Sequence, residues 1–356
     1  MHRLLAINPG STSTKLGIFE DHTMVQEQVL RHSNQDLAGY ERLIDQFPFR
    51  KQAVLAALAE AGIQAEDLDA VVGRGGLLKP IPGGTYTINE AMLRDLRGAV
   101  YGEHASNLGA LLAAEVARPV GIPAFIVDPV VVDELQPLAR LTGLPQINQR
   151  SIFHALNQKA VARRVAADLG REYEALHLIV VHLGGGISVG AHRQGRVVDV
   201  NNALDGDGPF SPERSGGLPA ADLVRLCFSG QYDEPAMRKL LVGQGGMVAY
   251  LGTNDGREVV RRIKAGDQQA ELVYQALAYQ VSKEIGRAAA VLRGQVDAIV
   301  ITGGLAYDEE HLVRWIKERV SFIAQILVHP GEDELSALAD GALRVLNGLE
   351  SAKVYA

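Results

Sequence analysis

Two glycine-rich turns in this 356-residue chain each follow a short apolar run. The first is NPGSTSTK at 8–15 and the second is HLGGGIS at 182–188, so Gly10 and Gly184 lie 174 positions apart. Small residues between two strands present main-chain N–H groups and hydroxyls, which suits the oxygens of an oligophosphate. Lys15 adds a positive charge to the first turn. The pair predicts a duplicated unit that grips a polyphosphate; the alternative is two ordinary hairpins whose glycines only supply positive φ.

A third glycine pair, Gly303-Gly304, lies in ITGGLAY at 301–307, after an apolar run. It would let a nucleotide approach the backbone closely, although a tight turn between strand and helix is the plain alternative. None of the three turns is a Walker A loop, because the chain has no Gly-Lys pair. The second turn has Val189 where GxGxxG requires a glycine. Mononucleotide P-loop and Rossmann folds are therefore disfavoured.

The elements that must position these turns read as an α/β protein. Residues 4–25 and 178–199 each predict strand, turn, strand, turn, strand. Short apolar runs predict buried strands at 70–73, 124–128 and 298–304. Ligand groups gather beyond the carboxyl ends of such strands, where Arg74, Asp128 and His182 fall. Helical spacing of apolar residues predicts helices at 51–62, 89–96, 107–117, 154–169, 271–292 and 309–327.

Composition narrows the class of protein. The length favours two domains, and the hydrophobic content of 47% is that of an ordinary globular chain. With a formal charge of −7 and no basic block, we expect small-molecule substrates rather than nucleic acid. No apolar run is long enough for a membrane span and no signal segment is evident, so a cytoplasmic location is expected. Cys227, the single cysteine, lies in LVRLCFSG and is expected to be a buried structural thiol.

The motifs resemble a known superfamily. NPGSTSTK, VHLGGGISVG and ITGGLAY, in that order, are similar to the phosphate-1, phosphate-2 and adenosine motifs of the acetate and sugar kinase, heat-shock ATPase and actin superfamily. Six further strings resemble its carboxylate kinases, the acetokinase family: GRGG (73–76), EHASN (103–107), AFIVDP (124–129), RSIFH (150–154), ERSGG (213–217) and GTNDGREV (252–259). The chain length and the strings VDPVVVDEL and GDGPFSPERSGGLP are most similar to the butyrate kinases of that family.

The resemblance implies a fold and a reaction. The fold is α/β, with duplicated ribonuclease H-like (actin-like ATPase) domains, two mixed sheets flanked by helices and a cleft between them. The implied N-terminal, carboxylate-side domain comprises 1–145 and 330–356, and the C-terminal, nucleotide-side domain comprises 146–329. The reaction is reversible phosphorylation of a short-chain carboxylate by ATP, giving ADP and an acyl phosphate with Mg²⁺. A homodimer or larger homo-oligomer is expected.

Four residues carry implied catalytic roles. Arg74 would bind the carboxylate, Arg214 would stabilise the transferring phosphoryl group, and His154 would donate to a phosphoryl oxygen. Asp128 would be oriented toward a metal or Arg214. Plainer roles remain open: exposed arginines at 74 and 214, a helix-start residue at 154, and an N-cap before Pro129 at 128.

Further residues match family positions for binding. The nucleotide and phosphate set is Asn8, Ser11, Ser13, Lys15, His182, Gly184, Gly185, Gly186, Asp255, Arg257, Gly303 and Gly304. The substrate set is Arg74, Gly76, His104 and Phe153, with Asn107 at the rim; EHASN fits a helix cap equally well, and Phe153 fits a core position equally well. The metal set is Asn8 and Asp333, with Glu332 and Glu334 as open alternatives. GGLAYD replaces the GGIGEN of acetate kinases, so the adenine contacts are expected to differ.

The expected acid follows from Gly75 and Gly76. Acetate kinases carry bulkier apolar residues there, so a wider pocket and a preference for C4 acids over acetate are predicted, with overlap to propionate and isobutyrate. Two other functions remain as alternatives. A sugar kinase would use Asp128 as general base, and an actin-like ATP-driven switch would have domain closure as its output.

Overall fold

The computed structural model describes residues 1–356, apart from the side chain of Asn34. It divides into two compact units, Met1–Val132 with Asp333–Ala356, and Asp133–Glu332. The domain boundaries predicted from the sequence come after residues 145 and 329, whereas the observed ones come after 132 and 332. Residues 133–145 lie with the second unit because the buried carboxylate of Glu134 is 2.9 Å from Lys159 Nζ, and because Gln136 N–H donates to the Val198 carbonyl.

The strands and helices have the following bounds. The strands are β1 Arg3–Pro9, β2 Ser13–Glu20, β3 Thr23–Arg31, β4 Ala70–Arg74, β5 Thr85–Thr87, β6 Ala124–Val127, β7 His177–Leu183, β8 Ile187–Arg193, β9 Arg196–Val200, β10 Ala298–Gly303, β11 Ile326–Pro330 and β12 Lys353–Val354. The α-helices are α1 Asn34–Leu37, α2 Phe47–Glu60, α3 Glu90–Arg97, α4 Asn107–Ala117, α5 Pro137–Arg140, α6 Ala155–Asp168, α7 Ala220–Cys227, α8 Glu234–Leu241, α9 Gly246–Leu251, α10 Gly256–Lys264, α11 Gln268–Val291, α12 Arg314–Val320 and α13 Glu334–Leu346. A π-helix, Glu309–Val313, precedes α12.

The first unit is built on a seven-stranded mixed sheet in the order β12-β5-β6-β4-β1-β2-β3. Strands β1, β4 and β6 run parallel, and β1-β2-β3 form an antiparallel meander. Alternate β1 residues Leu5 and Ile7 pack with Leu108 and Leu111 of α4, as the two-residue period of a strand requires. Helix α13 also packs on β1 and β6.

The second unit has a five-stranded mixed sheet in the order β11-β10-β7-β8-β9. Neighbouring residues of β7 belong to different cores: Ile179 and Val181 pack with α11, whereas Leu178 and Val180 pack with α6. Because successive strand residues point to opposite faces, the sheet is covered by helices on both sides. This position explains why the strand reads as an unbroken apolar run.

The two meanders confirm the predicted duplication. β1-β2-β3 and β7-β8-β9 are both antiparallel, and each has a register irregularity, at Ile18/Phe19 and at Ala191/His192. The predicted hairpin turns are also present, with positive φ at Asp21 (48°) and Gln194 (52°). Each meander is extended by two parallel strands, β4 and β6 or β10 and β11. The same order of five strands is therefore present in both units.

Two sequence predictions need correction. The helix predicted over 309–327 ends at Val320, and 326–330 form strand β11 beside β10, because a short apolar run after a turn satisfies a half-buried strand as well as a helix face. Cys227 is exposed rather than buried, since none of the residues of α7 is buried. Among the described residues, no helix is long and apolar enough to cross a membrane.

Candidate active site

The first glycine-rich turn joins β1 to β2 and is held from beneath by Arg50. The guanidinium donates to the carbonyls of Gly10 (2.8 Å), Ser11 (2.8 Å) and Ser13 (3.0 Å), and to Gln46 Oε1. Arg50 has no exposed surface, and burial lowers its pKa, although an arginine remains charged at neutral pH. Within the described residues no carboxylate pairs with it. The turn therefore rests on a buried positive charge.

The predicted phosphate-binding side chains of this turn differ in accessibility. Ser11 and Lys15 are exposed and Ser13 is half-buried, so all three are accessible to a ligand. Asn8 is buried at the end of β1, where its Nδ2 donates to Glu334 Oε2 at 2.6 Å. Asn8 therefore belongs to a second group of side chains, with Glu334 and Arg74.

Arg74, at the end of β4, forms a fork-like pair with Glu334 at the start of α13. The distances are 3.0 Å from Nη2 to Oε1 and 3.1 Å from Nη1 to Oε2. Nη1 also lies 3.3 Å from Asn8 Oδ1. Two parallel contacts of this kind are the bidentate geometry in which arginine binds carboxylates. The site can therefore grip a carboxylate group.

The three acidic residues at 332–334 have different environments in the structure. Asp333 is the N-cap of α13, where its carboxylate accepts from Ser336 N–H at 3.3 Å. Glu332 belongs to the second unit and its Oε1 lies 3.0 Å from His182 Nε2. Glu334 is the acidic residue beside Asn8. The metal assignment to Asp333 stays a prediction, and Glu334 is better placed to share a ligand with Asn8.

Gly75 and Gly76 do not open space for a larger acid. A Cβ at Gly75 would lie 2.6 Å from Pro129 Cβ, and one at Gly76 would lie 2.8 Å from Asn107 N. Asn107 itself accepts from Leu77 N–H at 2.8 Å and is buried at the start of α4. These glycines allow close packing of the loop after β4, so the argument from them to a wider acyl pocket is wrong.

Asp128 is buried and structurally engaged. Its Oδ1 accepts from Gly84 N–H at 2.7 Å, and its N–H donates back to Gly84 O at 3.1 Å. Its φ of 37° lies in the left-handed region, which is strained for most residues but tolerated by aspartate. No helix starts at Pro129, where the chain makes a turn, so the alternative N-cap role is wrong. His104 is exposed, and its Nδ1 accepts from Ser106 N–H at 3.2 Å just before α4.

The second unit contains a cavity of about 630 Å³. Five of the predicted nucleotide-binding residues line it: Gly184, Gly185, Asp255, Arg257 and Gly304. The other lining residues include the apolar Val260, Tyr274 and Leu305. Cavities of this size with one apolar wall and a polar end commonly hold small ligands. Asp255 caps α10 and pairs with Arg257 at 3.0 Å, so these two side chains also bind each other.

Arg214 is packed against the second glycine-rich turn. Its Nη1 donates to the Ala203 carbonyl, and a Cβ at Gly186 would lie 2.7 Å from the Arg214 guanidinium carbon. Burial lowers the pKa of Arg214, while Glu213 and Asp205 oppose the shift. The absence of a side chain at 186 is therefore what makes room for the guanidinium.

His154 and His182 form a stacked pair in the second unit, with ring centroids 3.8 Å apart and planes 12° apart. His182 Nδ1 lies 2.8 Å from Asn157 Oδ1. Its Nε2 is 3.0 Å from Glu332 Oε1 but outside hydrogen-bond geometry among the described atoms. His154 Nδ1 lies 2.9 Å from Ser188 Oγ. Phe153 is buried, as a core residue would be, and its role as a pocket wall stays a prediction.

Comparison with known proteins places this geometry in a family. The model of the acetokinase family matches residues 146–329, which is more than half of the chain. The chain belongs to the acetokinase family. This family member also shares its fold with solved carboxylate kinases, including acetate kinase from Porphyromonas gingivalis (TM-score 0.78, 20% identity, 96% of this chain and 99% of that chain). Propionate kinase from Francisella tularensis gives a TM-score of 0.75 at 18% identity, with 96% and 99% covered.

The fold extends beyond the carboxylate kinases. The ROK hexokinase from Thermus thermophilus matches the acetokinase chain with a TM-score of 0.50 and 17% identity, over 98% of this chain and 99% of that chain. The duplicated actin-like ATPase fold, with two mixed sheets flanked by helices, is thereby confirmed. At these identities the structural matches show the fold alone.

Several residues of the candidate site were not predicted from the sequence. Arg50 is missed because nothing in FRKQA distinguishes a buried arginine from a surface one. Ser188 and Gln158 lie within recognised segments, but their contacts depend on how α6 packs on β8. The alternation Ser188-Val189-Gly190-Ala191-His192 is a usable signal, since it puts polar residues on one strand face.

Proposed function

We propose that this acetokinase family member transfers the γ-phosphoryl group of ATP to a short-chain carboxylate, with butyrate as the first candidate, and runs the reaction in reverse. The proposal rests on the bidentate pairing of Arg74 with a carboxylate, that of Glu334. A carboxylate oxygen attacks the γ-phosphorus, the bond to the β–γ bridging oxygen breaks, and ADP leaves. Since the acid is already ionised, no general base is needed.

The nucleotide is assigned to the cavity of the second unit. The apolar wall of Val260, Tyr274 and Leu305 suits the base, and the glycines at 184 and 185 suit the phosphates, which need main-chain N–H groups without side-chain bulk. Arg214 and His154 would stabilise charge on the transferred group. The first turn, with Ser11, Ser13 and Lys15 accessible above the buried charge of Arg50, would bind phosphoryl oxygens.

The donor set of the first unit fits Mg²⁺. Asn8 and Glu334 offer oxygens, the ligands that Mg²⁺ prefers. An ion held by one or two protein oxygens would take its other ligands from water and substrate phosphates. When bound, Mg²⁺ would neutralise charge on the phosphate oxygens. Glu334 would then bind the ion instead of Arg74, and the Arg74 guanidinium would be available to the substrate carboxylate.

A sugar kinase is less well supported. That reaction needs an aspartate poised to accept a proton from a hydroxyl. Asp128 is buried, and its carboxylate accepts from the main-chain N–H of Gly84. The choice of butyrate within the carboxylates rests on the resemblance of VDPVVVDEL and GDGPFSPERSGGLP to the butyrate kinases, without support from Gly75 and Gly76.

A hydroxamate assay over linear and branched C2 to C5 acids tests the proposal. We expect butyrate to exceed acetate in kcat/KM, since each methylene in an apolar pocket contributes about 10- to 200-fold. Arg74→Ala should raise KM for the acid at least about 100-fold, because two charge-assisted hydrogen bonds are lost. Arg118→Ala, an exposed arginine paired with Glu90, is the matched control.

Different outcomes would contradict the choice of acid, the carboxylate kinase activity and kinase activity as such. Acetate equal to or better than butyrate would overturn the choice of acid. Turnover of hexoses without turnover of any acid would overturn the carboxylate kinase. An ATPase that phosphorylates neither would point to the switch alternative.

A further inference from the structure

A buried chain of hydrogen bonds ends at His154. Four contacts connect Tyr173 Oη to His192 Nδ1 (2.7 Å), His192 Nε2 to Gln158 Oε1 (2.9 Å), Gln158 Nε2 to Ser188 Oγ (2.8 Å) and Ser188 Oγ to His154 Nδ1 (2.9 Å). Ser188, Gln158 and His192 have no exposed surface, and Tyr173 is also buried. Such a chain is costly unless every member is satisfied, so the direction of each hydrogen bond can be worked out.

The orientation of the Gln158 amide comes first. Gln158 Nε2 also lies 3.1 Å from the main-chain carbonyl of Ser188, and a carbonyl can only accept. The amide nitrogen therefore faces Ser188, and Oε1 faces His192. Because Oε1 accepts, His192 Nε2 must carry a proton.

The protonation of His192 follows. Burial, with Lys159 and Arg163 nearby, holds the pKa of His192 well below its usual range. The ring is therefore neutral and carries one proton, on Nε2. Its Nδ1 then accepts from the Tyr173 hydroxyl.

The last step concerns Ser188. Its Oγ accepts from Gln158 Nε2, and the remaining partner among the described atoms is His154 Nδ1. If His154 Nδ1 were the donor, the hydroxyl proton of Ser188, which has no exposed surface, would lack an acceptor among the described atoms, which costs about 1–3 kcal/mol. The hydroxyl therefore donates to Nδ1, and His154 keeps its ring proton on Nε2.

We propose that Ser188, Gln158 and His192 are positioning residues that hold His154 in its Nε2–H tautomer. The role of this tautomer rests on the proposed function: Nε2–H is a neutral donor for an oxygen of the transferred phosphoryl group. The strand has room for the chain because residue 190 is glycine. A Cβ there would lie 3.0 Å from His192 Nε2 and would contact Gln158 Oε1 more closely still.

Long-range ¹H–¹⁵N NMR of ¹⁵N-histidine-labelled protein tests the tautomer, with His154→Gln to assign the resonances. In the ligand-free full chain we expect His154 Nδ1 to be unprotonated and Nε2 to be protonated. Ser188→Ala keeps an acceptor for Gln158, the Ser188 carbonyl, and should fold. It should shift the Nδ1 resonance, allow the other tautomer, and lower kcat at least about 10-fold with KM for ATP nearly unchanged.

The matched control is Ser282→Ala. Ser282 is a buried serine of the same unit whose hydroxyl donates to Ala278 O within α11, so neither the tautomer nor kcat should change. A proton on His154 Nδ1 in the unaltered chain would overturn the proposal whether or not the protein phosphorylates acids. An Ser188→Ala variant that matches Ser282→Ala in the spectrum, or that loses the tautomer without losing kcat, would overturn it too.

Discussion

Replacing Gly186 by alanine should disable the phosphoryl-transfer step through Arg214. The new Cβ would lie 2.7 Å from the guanidinium carbon and closer still to Nη1, whereas ordinary contacts are 3.4–4 Å, so the guanidinium must move by at least about 0.7 Å. A misplacement of about 1 Å in a group that acts on the transition state costs about 100-fold in rate, or about 2.7 kcal/mol. We therefore expect Gly186→Ala to lower kcat about 100-fold.

An exposed glycine that does not line the cavity provides the control. A Cβ at Gly286, in α11, would meet nothing within 4 Å, so Gly286→Ala should keep most of kcat. Steady-state kinetics on both variants, with circular dichroism to check folding, gives the comparison.

A double-mutant cycle with Arg214→Ala tests the route of the effect. If Gly186→Ala acts by moving Arg214, the double variant should be no slower than Arg214→Ala alone. A loss of 100-fold in Gly186→Ala that adds in full to the loss in Arg214→Ala would refute the reasoning. So would a Gly186→Ala enzyme within about 3-fold of the unaltered one.

Two further predictions concern stability. Arg50→Met leaves the Gly10 and Ser11 carbonyls without their donor. At about 1–3 kcal/mol per acceptor, it should lower the free energy of unfolding by about 2–6 kcal/mol. Urea denaturation measures this loss, with Arg118→Met as an exposed control, and an unchanged midpoint would contradict the role of Arg50 beneath the turn. The second prediction concerns pH. Because the pKa of His192 is lowered in the folded chain, the unfolded chain takes up a proton on this residue at a higher pH than the folded chain does. The free energy of unfolding is therefore greatest above about pH 6.5 and falls below that pH by up to about 1.4 kcal/mol per pH unit. His192→Gln should remove that part of the slope, and equal slopes for the two proteins between pH 7 and 5 would count against a buried neutral ring.

The repeated unit was predictable because its signals are local. An apolar run, a turn of small residues and a second run specify a hairpin without knowledge of the rest of the chain. Asp21 and Gln194 mark the second turn of each meander, and both adopt positive φ. The error at 326–330 has the opposite origin. The short segment ILVHP fits strand or helix, and only its pairing with β10, a contact distant in sequence, makes it a strand.

Residues of the candidate site that belong to one short sequence motif could be predicted. Residues that join the site only through packing of distant elements could not. The glycines at 184 and 185 belong to one segment, and both line the cavity. Glu334 becomes a partner of Arg74 only because α13 packs on β1 and β6, more than 250 residues from β4. The three acidic residues 332–334 look alike in sequence, and the helix start alone separates their environments.

The glycines after Arg74 show why residue size along a sequence is a poor guide to pocket size. A missing side chain opens a pocket only if its Cβ would have pointed into one. At Gly75 that direction is taken by Pro129 and at Gly76 by the start of α4, so both glycines are explained by close packing of the loop. Acid selectivity must then come from side chains that reach the acyl chain. The order of rates across C2 to C5 acids, compared between the unaltered chain and a Phe153→Ala variant, would measure one such contribution directly.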